Sequence, residues 1–250
     1  FRGATDTTDD ISLRVRSENW DWFQPADTTK QNKYSFVGAI LRYGADGKIG
    51  KTPAKIELAA PMLLGLPKNA MAPAPAGALG LGATYRAQNG SQNASVFLKQ
   101  GYFLGKANGG ALKVGRFEFA EGKETTPKDP ALAVTKNTQV AERLIGPFAW
   151  THIGRSIDGA TWSKSTPTRN LTLLLGQPTE GVFDLDGNRS LRKVRVGYLA
   201  NTNSYTGGEN RLFVMGYEDT RGLAKTDNVA ATLKDQNGIR LTTLVGHALQ

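Results

Sequence analysis

Apolar and polar residues alternate with a period of two along much of this chain. In Ile11-Ser12-Leu13-Arg14-Val15-Arg16, an extended backbone puts Ile11, Leu13 and Val15 on one face and Ser12, Arg14 and Arg16 on the other. Ala54 to Ala60 sets Ile56, Leu58 and Ala60 against Lys55 and Glu57, and Leu191 to Tyr198 sets Val194, Val196 and Tyr198 against Lys193 and Arg195. Read this way, the chain is expected to form about ten strands. They lie near Ile11 to Trp22, Tyr34 to Tyr43, Ala54 to Ala60, Ala94 to Leu104, Leu112 to Ala120, Arg155 to Ser165, Asn170 to Gln177, Leu191 to Asn201, Asn210 to Glu218 and Gly238 to Leu249. In Leu112 to Phe119, Lys113, Phe117 and Phe119 share one face, and Arg116 and Glu118 share the other with Leu112 and Val114. We read the two Phe as an outward aromatic girdle and Arg116 as inward. The last two strands carry apolar residues on both faces, and the pattern does not orient them.

The connections alternate as well. Turn formers Asp46-Gly47, Asn108-Gly109, Pro167 and Gly207-Gly208 make tight links after the second, fourth, sixth and eighth strands, whereas the third, fifth and ninth are followed by long irregular segments. Short turns at one end and long loops at the other mark an outer-membrane barrel. A soluble sheet with one charged face in water would show the same alternation strand by strand, but it has no reason to send its long loops to one edge. In a barrel the alternation is enforced, because a lipid-facing charge costs about 2–4 kcal/mol near mid-bilayer. The expected fold is therefore all-β, an antiparallel up-and-down meander of a transmembrane β-barrel in one domain over 1–250. Ile11, Leu13, Val15, Ile56, Leu58, Val194 and Val196 should face outward, and Arg14, Arg16, Lys55, Lys193 and Arg195 inward.

Composition changes this picture little. No apolar run reaches the roughly 20 residues of a membrane-spanning helix, and the mean hydropathy of −0.36 is neutral because a barrel strand shows lipid only every second residue. There is no Cys, hence no disulfide and no thiolate metal site. Thirty-one Lys and Arg against 22 Asp and Glu give a net charge of +9, which points to an anionic partner. Nucleic acid is disfavoured, since the basic residues are scattered singly rather than interleaved with aromatics on one platform. His152 and His247 lie far apart without metal-ligand spacing. Asp184-Leu185-Asp186-Gly187-Asn188 opens like a calcium loop, but Gly187 comes too early and Arg195 stands where the bidentate acid belongs, so it reads as a turn. Gly80-Leu81-Gly82 lacks the third glycine of a dinucleotide site and reads as loop. Glu118, Glu121, Glu124 and Asp158 lie close in sequence, but nothing places two of them at a glycosidase's working distance. The expectation is no catalysis and no cofactor.

The segment Glu121 to Gly154 is too long for a passive link. Asn137 could cap a short helix over Asn137 to Leu144, and the stretch Arg143 to Gly159 mixes cations with Leu144, Ile145, Phe148 and Trp150. We expect Asn137 to Asp158 to bend inward, burying those four, with Arg143 and Arg155 narrowing a pore and Asp158 orienting Arg155 or Arg116.

Gly115-Arg116-Phe117-Glu118-Phe119, Arg143-Leu144-Ile145-Gly146-Pro147-Phe148, Gly154-Arg155-Ser156-Ile157-Asp158-Gly159 and Ile239-Arg240-Leu241-Thr242-Thr243-Leu244 resemble the alginate export family of bacterial outer-membrane proteins. Leu63-Leu64-Gly65-Leu66-Pro67 and Leu98-Lys99-Gln100-Gly101-Tyr102 look similar to its more divergent members. The resemblance implies a monomeric barrel of roughly 18 strands in the outer membrane, passing a polyuronate through an arginine-lined lumen. It also implies contact with outer-membrane lipid and, at the periplasmic end, with secretion partners. About ten strands are visible, so an amino-terminal portion of such a barrel is expected. Spaced cationic sites suit a passing polyanion better than one tight pocket, and Arg can pair bidentately with carboxylates. Arg14, Arg16, Arg42, Arg116, Arg143, Arg155 and Arg195 are the candidate pathway cations, with Glu118 and Asp158 holding some of them in place. Two alternatives are a general uptake porin for small acidic solutes and a secreted β-sandwich that binds acidic glycans.

Overall fold

The computed structural model describes residues 8–21, 28–70, 80–222 and 238–250. Within them lie β1 (Thr8–Asp21), β2 (Lys33–Ile49), β3 (Thr52–Leu64), α1 (Leu81–Asn89), β4 (Phe97–Ala107), β5 (Gly110–Phe117), α2 (Pro130–Thr135), a π-helical turn (Lys136–Val140), β6 (Ile157–Ser165), β7 (Arg169–Pro178), β8 (Val194–Tyr205), β9 (Gly208–Asp219) and β10 (Ile239–Leu249). The ten strands form one antiparallel sheet in sequence order, as expected for a meander, and the sheet is not closed: among the described residues β1 pairs only with β2, and β10 only with β9. Trp22, the expected end of the first strand, lies outside the described residues.

Tight links do join β2–β3, β4–β5, β6–β7 and β8–β9. Asn108 and Gly109 both adopt positive φ, the requirement of a two-residue type I′ hairpin. One turn is displaced from expectation. Asp46-Gly47 stays inside β2, with Asp46 opposite Lys55, and the chain reverses at Gly50 (φ 65°) instead.

The two faces of the sheet differ sharply. On one, Tyr34, Phe36, Ile40, Ala59, Leu63 and Phe97 pack with Leu66, Leu81, Tyr85, Ile153 and Leu185 from the long connections. Further along, Phe117, Ile157, Leu174, Val196, Tyr198, Phe213 and Met215 pack around Ile145. This is the covered face. Gly82 lies in α1 rather than in a loop, against Tyr34 and Leu66, where an added Cβ would stand 2.5 Å from the Tyr34 ring; that position admits only glycine.

The other face is bare and apolar. Cross-strand partners share a face, so the row runs Leu13–Leu41, Tyr43–Leu58, Ala54–Phe103, Phe103–Val114, Val114–Ala160, Ala160–Leu175, Leu173–Leu199, Leu199–Val214 and Val214–Leu244, touching all ten strands. Its members are open to solvent: Leu13 is 61% exposed, Leu175 58% and Leu244 70%. Polar residues bound the row at both ends. On this face Asp9 and Ser17 of β1, Arg169 and Gln177 of β7, and Asn210 and Glu218 of β9 each stand eight positions apart, roughly 27 Å along a strand.

Several orientations differ from the expectation. Ile11, Leu13, Val15, Ile56 and Leu58 are on the bare face as anticipated, but Val194 and Val196 are buried on the covered face and Arg195 points away from it. Lys193 precedes β8 with φ 66° and belongs to neither face. The Phe117 side of β5 is likewise turned inward: Phe117 is fully buried and Phe119 packs beside it. The cause is the infolded connections, which supply an apolar filling that a water-filled lumen would lack and so reverse the parity on β5 and β8.

Candidate functional site

The charged residues of the covered face form three groups. The first lies across β1 and β2, where Arg14 and Arg16 take hold of the infolded segment 149–152. Arg14 donates to the carbonyls of Ala149 and Thr151, and Arg16 Nη1 donates to that of Trp150 at 2.9 Å. Arg16 Nε donates to Glu18 Oε1 at 2.5 Å, and Nε2 of the buried His152 lies 3.1 Å from Glu18 and 3.3 Å from Arg16. The His152 ring rests on Gly38 and packs against Phe36 and Tyr85; a Cβ on Gly38 would fall 2.2 Å from it. Burial, with the Arg16 charge adding to it, pushes the His152 imidazole down to about 4, so the ring is neutral at pH 7. Tyr85, which accepts the His152 backbone N–H at 2.8 Å, is pushed up to about 12, chiefly by burial.

The second group spans β2 to β5. Arg42 donates through Nε to Glu57 at 2.7 Å and through Nη2 to Glu118 at 2.8 Å, and Lys99 Nζ stands 3.1 Å from Glu118. Gln100 donates to the second Glu57 oxygen at 3.1 Å. Burial would raise the Glu118 carboxyl, but Lys99 and Arg42 outweigh it and hold it below the usual carboxylate range. Toward the tight-turn end, Lys55 reaches Asp46 at 3.0 Å and Asp10 at 3.6 Å, while Lys113 lies over the Tyr102 ring, 4.5 Å from its centroid.

The third group is buried. Arg211 donates to Glu121 at 3.0 Å and Glu124 at 3.4 Å and also bonds Tyr198, with its ring-face contact on Phe213 at 4.3 Å. Lys136 lies 2.6 Å from Glu209 and donates to both oxygens of Thr125. Burial lowers the Lys136 ammonium, opposed by Glu209. These contacts fasten the segment 121–143 to β8 and β9.

Placed against expectation, the candidates divide. Arg14, Arg16, Arg42 and Glu118 come together on the covered face. Arg116 and Asp158 pair bidentately at 2.7 and 2.8 Å, as expected of Asp158, but their register opposite Gly101 puts them in line with the bare-face residues. There the carbonyls of Leu98, Gly187 and Asn188 also bind Arg116, so it clamps a sheet corner. Arg195 is exposed on the bare face, 3.6 Å from Glu218. The segment does bend inward, but its helix starts at Pro130, capped by Asp129, whose carboxylate can fill the helix N-terminus and precedes a proline. Arg143 turns back to donate to the Thr138 and Gln139 carbonyls. Of the four apolar residues only Ile145 is buried; Leu144, Phe148 and Trp150 remain exposed. Arg155 lies apart from Asp158, over the Phe148 ring at 5.4 Å.

Lys99, Glu57, Lys136, Glu209 and Arg211 join these groups although the sequence pattern does not name them as candidates. Glu209 and Arg211 share parity with Phe213 and Met215, a signal that could have oriented β9 and flagged a buried cation. Lys99 was hidden by a register shift at Glu57/Leu58, where alternation breaks. Among the described residues no cluster of His, Cys, Asp or Glu is arranged to hold a metal ion. The chain matches no protein-family model, no curated protein and no solved structure, so the roles of these residues rest on their geometry.

Proposed function

We propose that the sheet is the wall of an outer-membrane barrel, with its bare face against lipid and its covered face lining a path for an anionic polysaccharide such as a polyuronate. The observation that carries this reading is the unbroken apolar row. Ten strands at about 4.8 Å spacing by roughly 27 Å give a bare apolar area on the order of 1,000 Å², beyond the largest patch of a typical soluble monomer, about 300–600 Å². The polar bounds fit as well: 27 Å along a strand tilted about 40° is roughly 20 Å of height, near the ~25 Å apolar band of a barrel. The free edges of β1 and β10 are closed by further strands in this reading, since open edges in lipid leave backbone groups unpaired. A β-sandwich that binds acidic glycans would bury this row against a second sheet.

For the solute, the supporting feature is a spread of cations over the covered face, from Arg14 and Arg16 through Arg42 to Lys55 and Lys113. The resemblance to the alginate export family adds to it. A second reading, a general porin for small acids, is favoured by the carboxylates that balance most of these cations: Glu18, Glu57, Glu118, Asp46 and Asp10. Detergent-only extraction and heat-modifiable migration of the full-length protein test the barrel; resistance to neither would end it. Single-channel recording with oligouronates then separates the solutes, because concentration-dependent block is expected of a polyuronate path and its absence favours small acids.

A further inference from the structure

A cavity at the long-loop end of the covered face lies outside the groups described above. It measures about 520 Å³; Phe148, Pro178, Val182, Phe183, Leu191 and Tyr217 give it apolar walls, and Gln88, Glu180, Asp184 and Arg221 line it as well. Arg155 lines it. Among the described residues its guanidinium has no carboxylate within 4.0 Å, and its buried Nε has no hydrogen-bond partner. The neighbouring carboxylates are already engaged. Glu180 stands 2.8 Å from Arg189 and Asp184 3.8 Å from it, while Arg221 holds Asp219 at 2.7 Å. An adjoining hollow lined by Arg189, Arg192 and Arg221 opens beside Leu191 and makes the approach cationic. Burial, with the Arg221 charge, disfavours the Arg155 cation more than Tyr217 and Glu180 favour it, so a bound anion would relieve it.

We propose that this cavity binds an aromatic monocarboxylate, its carboxylate on Arg155 and its ring between Phe148 and Phe183. The walls decide the class. A sugar acid needs free hydrogen-bonding side chains around its hydroxyls, whereas the lining Glu180, Asp184 and Arg221 already face charged partners and the ring faces and aliphatic carbons suit a flat apolar body. The unpaired guanidinium supplies a charge-assisted anchor at one end. The proposal is independent of the barrel reading, since the cavity lies between the infolded connections and the covered-face ends of β7, β8 and β9 and not on the lipid-facing row.

Calorimetric titration of the full-length protein with 2-naphthoate tests it, alongside the neutral 2-naphthamide and with glucuronate as the sugar acid. One-to-one binding of naphthoate is expected, with the amide and glucuronate at least about 10-fold weaker. Arg155→Gln should weaken naphthoate by about 10- to 100-fold, the loss expected for a charged hydrogen-bonded contact, and Leu191→Trp should weaken it by filling the cavity while leaving Arg155 untouched. If Arg155→Gln fails to fold, Leu191→Trp alone decides. No one-to-one binding, equal affinity for the amide, glucuronate as tight as naphthoate, or unchanged affinity in the folded variants would each overturn the assignment.

Discussion

Replacing Leu199 by Arg separates a lipid-facing sheet from one in water. Leu199 sits on β8, 43% exposed, between Leu173 on β7 and Val214 on β9. On its own face the polar bounds along the strand are Arg195 and Asn203, opposite Glu218 and Asn210, each four residues or roughly 13 Å away, with Asn201 between Leu171 and Leu212 on the way to the second. With strand tilt near 40° that is about 10 Å from each interface, close to mid-bilayer, where Arg costs about 2–4 kcal/mol. On a soluble sheet the same change at a half-exposed position falls within about 0.5 kcal/mol. The assay is urea unfolding of the protein refolded into lipid vesicles, with Asn203→Arg at the polar border as the control, expected to cost about 0–1 kcal/mol. A Leu199→Arg penalty no larger than the control would refute the membrane reading.

Three further outcomes follow from the covered face. The unfolded His152 imidazole takes a proton near pH 6.5 and the folded one only near 4, so between these values the unfolded chain binds more protons; stability should fall as pH drops through this window, by up to about 3 kcal/mol, and the loss should vanish in His152→Gln. A pH dependence unchanged in that variant would exclude His152 as its source. Glu118→Gln releases Lys99 and one arm of Arg42, and reversal potentials in a salt gradient should move toward anion selectivity; no shift would mean that these cations do not border the path. Arg211→Met strands Glu121 and Glu124 in a buried site and should cost about 3–5 kcal/mol in denaturant unfolding, whereas a cost under 1 kcal/mol would show that water reaches the cluster.

What the sequence made legible was the sheet. The period-two pattern placed all ten strands, because a half-covered strand must alternate whatever covers it. It oriented β1 and β3 correctly, where Arg14, Lys55 and Glu57 mark one face without ambiguity. It failed on β5 and β8 for one physical reason: local alternation says that two faces differ, but not which is inward. Once the connections fold inside, the inward face can be apolar, as Phe117 and Val196 are, and the outward face can carry a charge near the sheet's end, as Arg195 does beside Glu218. The candidate cations were found by type, but their partners are distant in sequence. Glu57 and Glu118 meet Arg42 across fifteen and seventy-six positions, and no spacing rule reaches that far. Helix α1 was missed because Gly80 and Gly82 read as loop glycines, yet Gly82 is there for close packing on Tyr34.

The balance of charge on the covered face follows from what the arginines have to do. Infolded connections bring backbone carbonyls to the sheet, and each buried carbonyl needs a donor. Arg is the side chain best able to serve several at once, so Arg14 and Arg16 become fasteners for the segment 149–152 before they can act on any solute. A guanidinium used this way keeps its charge, and where it is partly buried a carboxylate must accompany it, as Glu57 and Glu118 accompany Arg42. The outcome is a surface whose positive field is shallow and repeated. Opposite charges about 4 Å apart attract by about 1 kcal/mol in water and about 4 kcal/mol at a protein surface, so a lone cation would hold a passing carboxylate firmly, whereas one already facing two carboxylates holds it little. Arg14 and Lys113 are two exceptions. Arg14 binds only carbonyls and Lys113 only ring faces, so, if the covered face lines a path, these two would keep more attraction for an anion than Arg42, which faces Glu57 and Glu118.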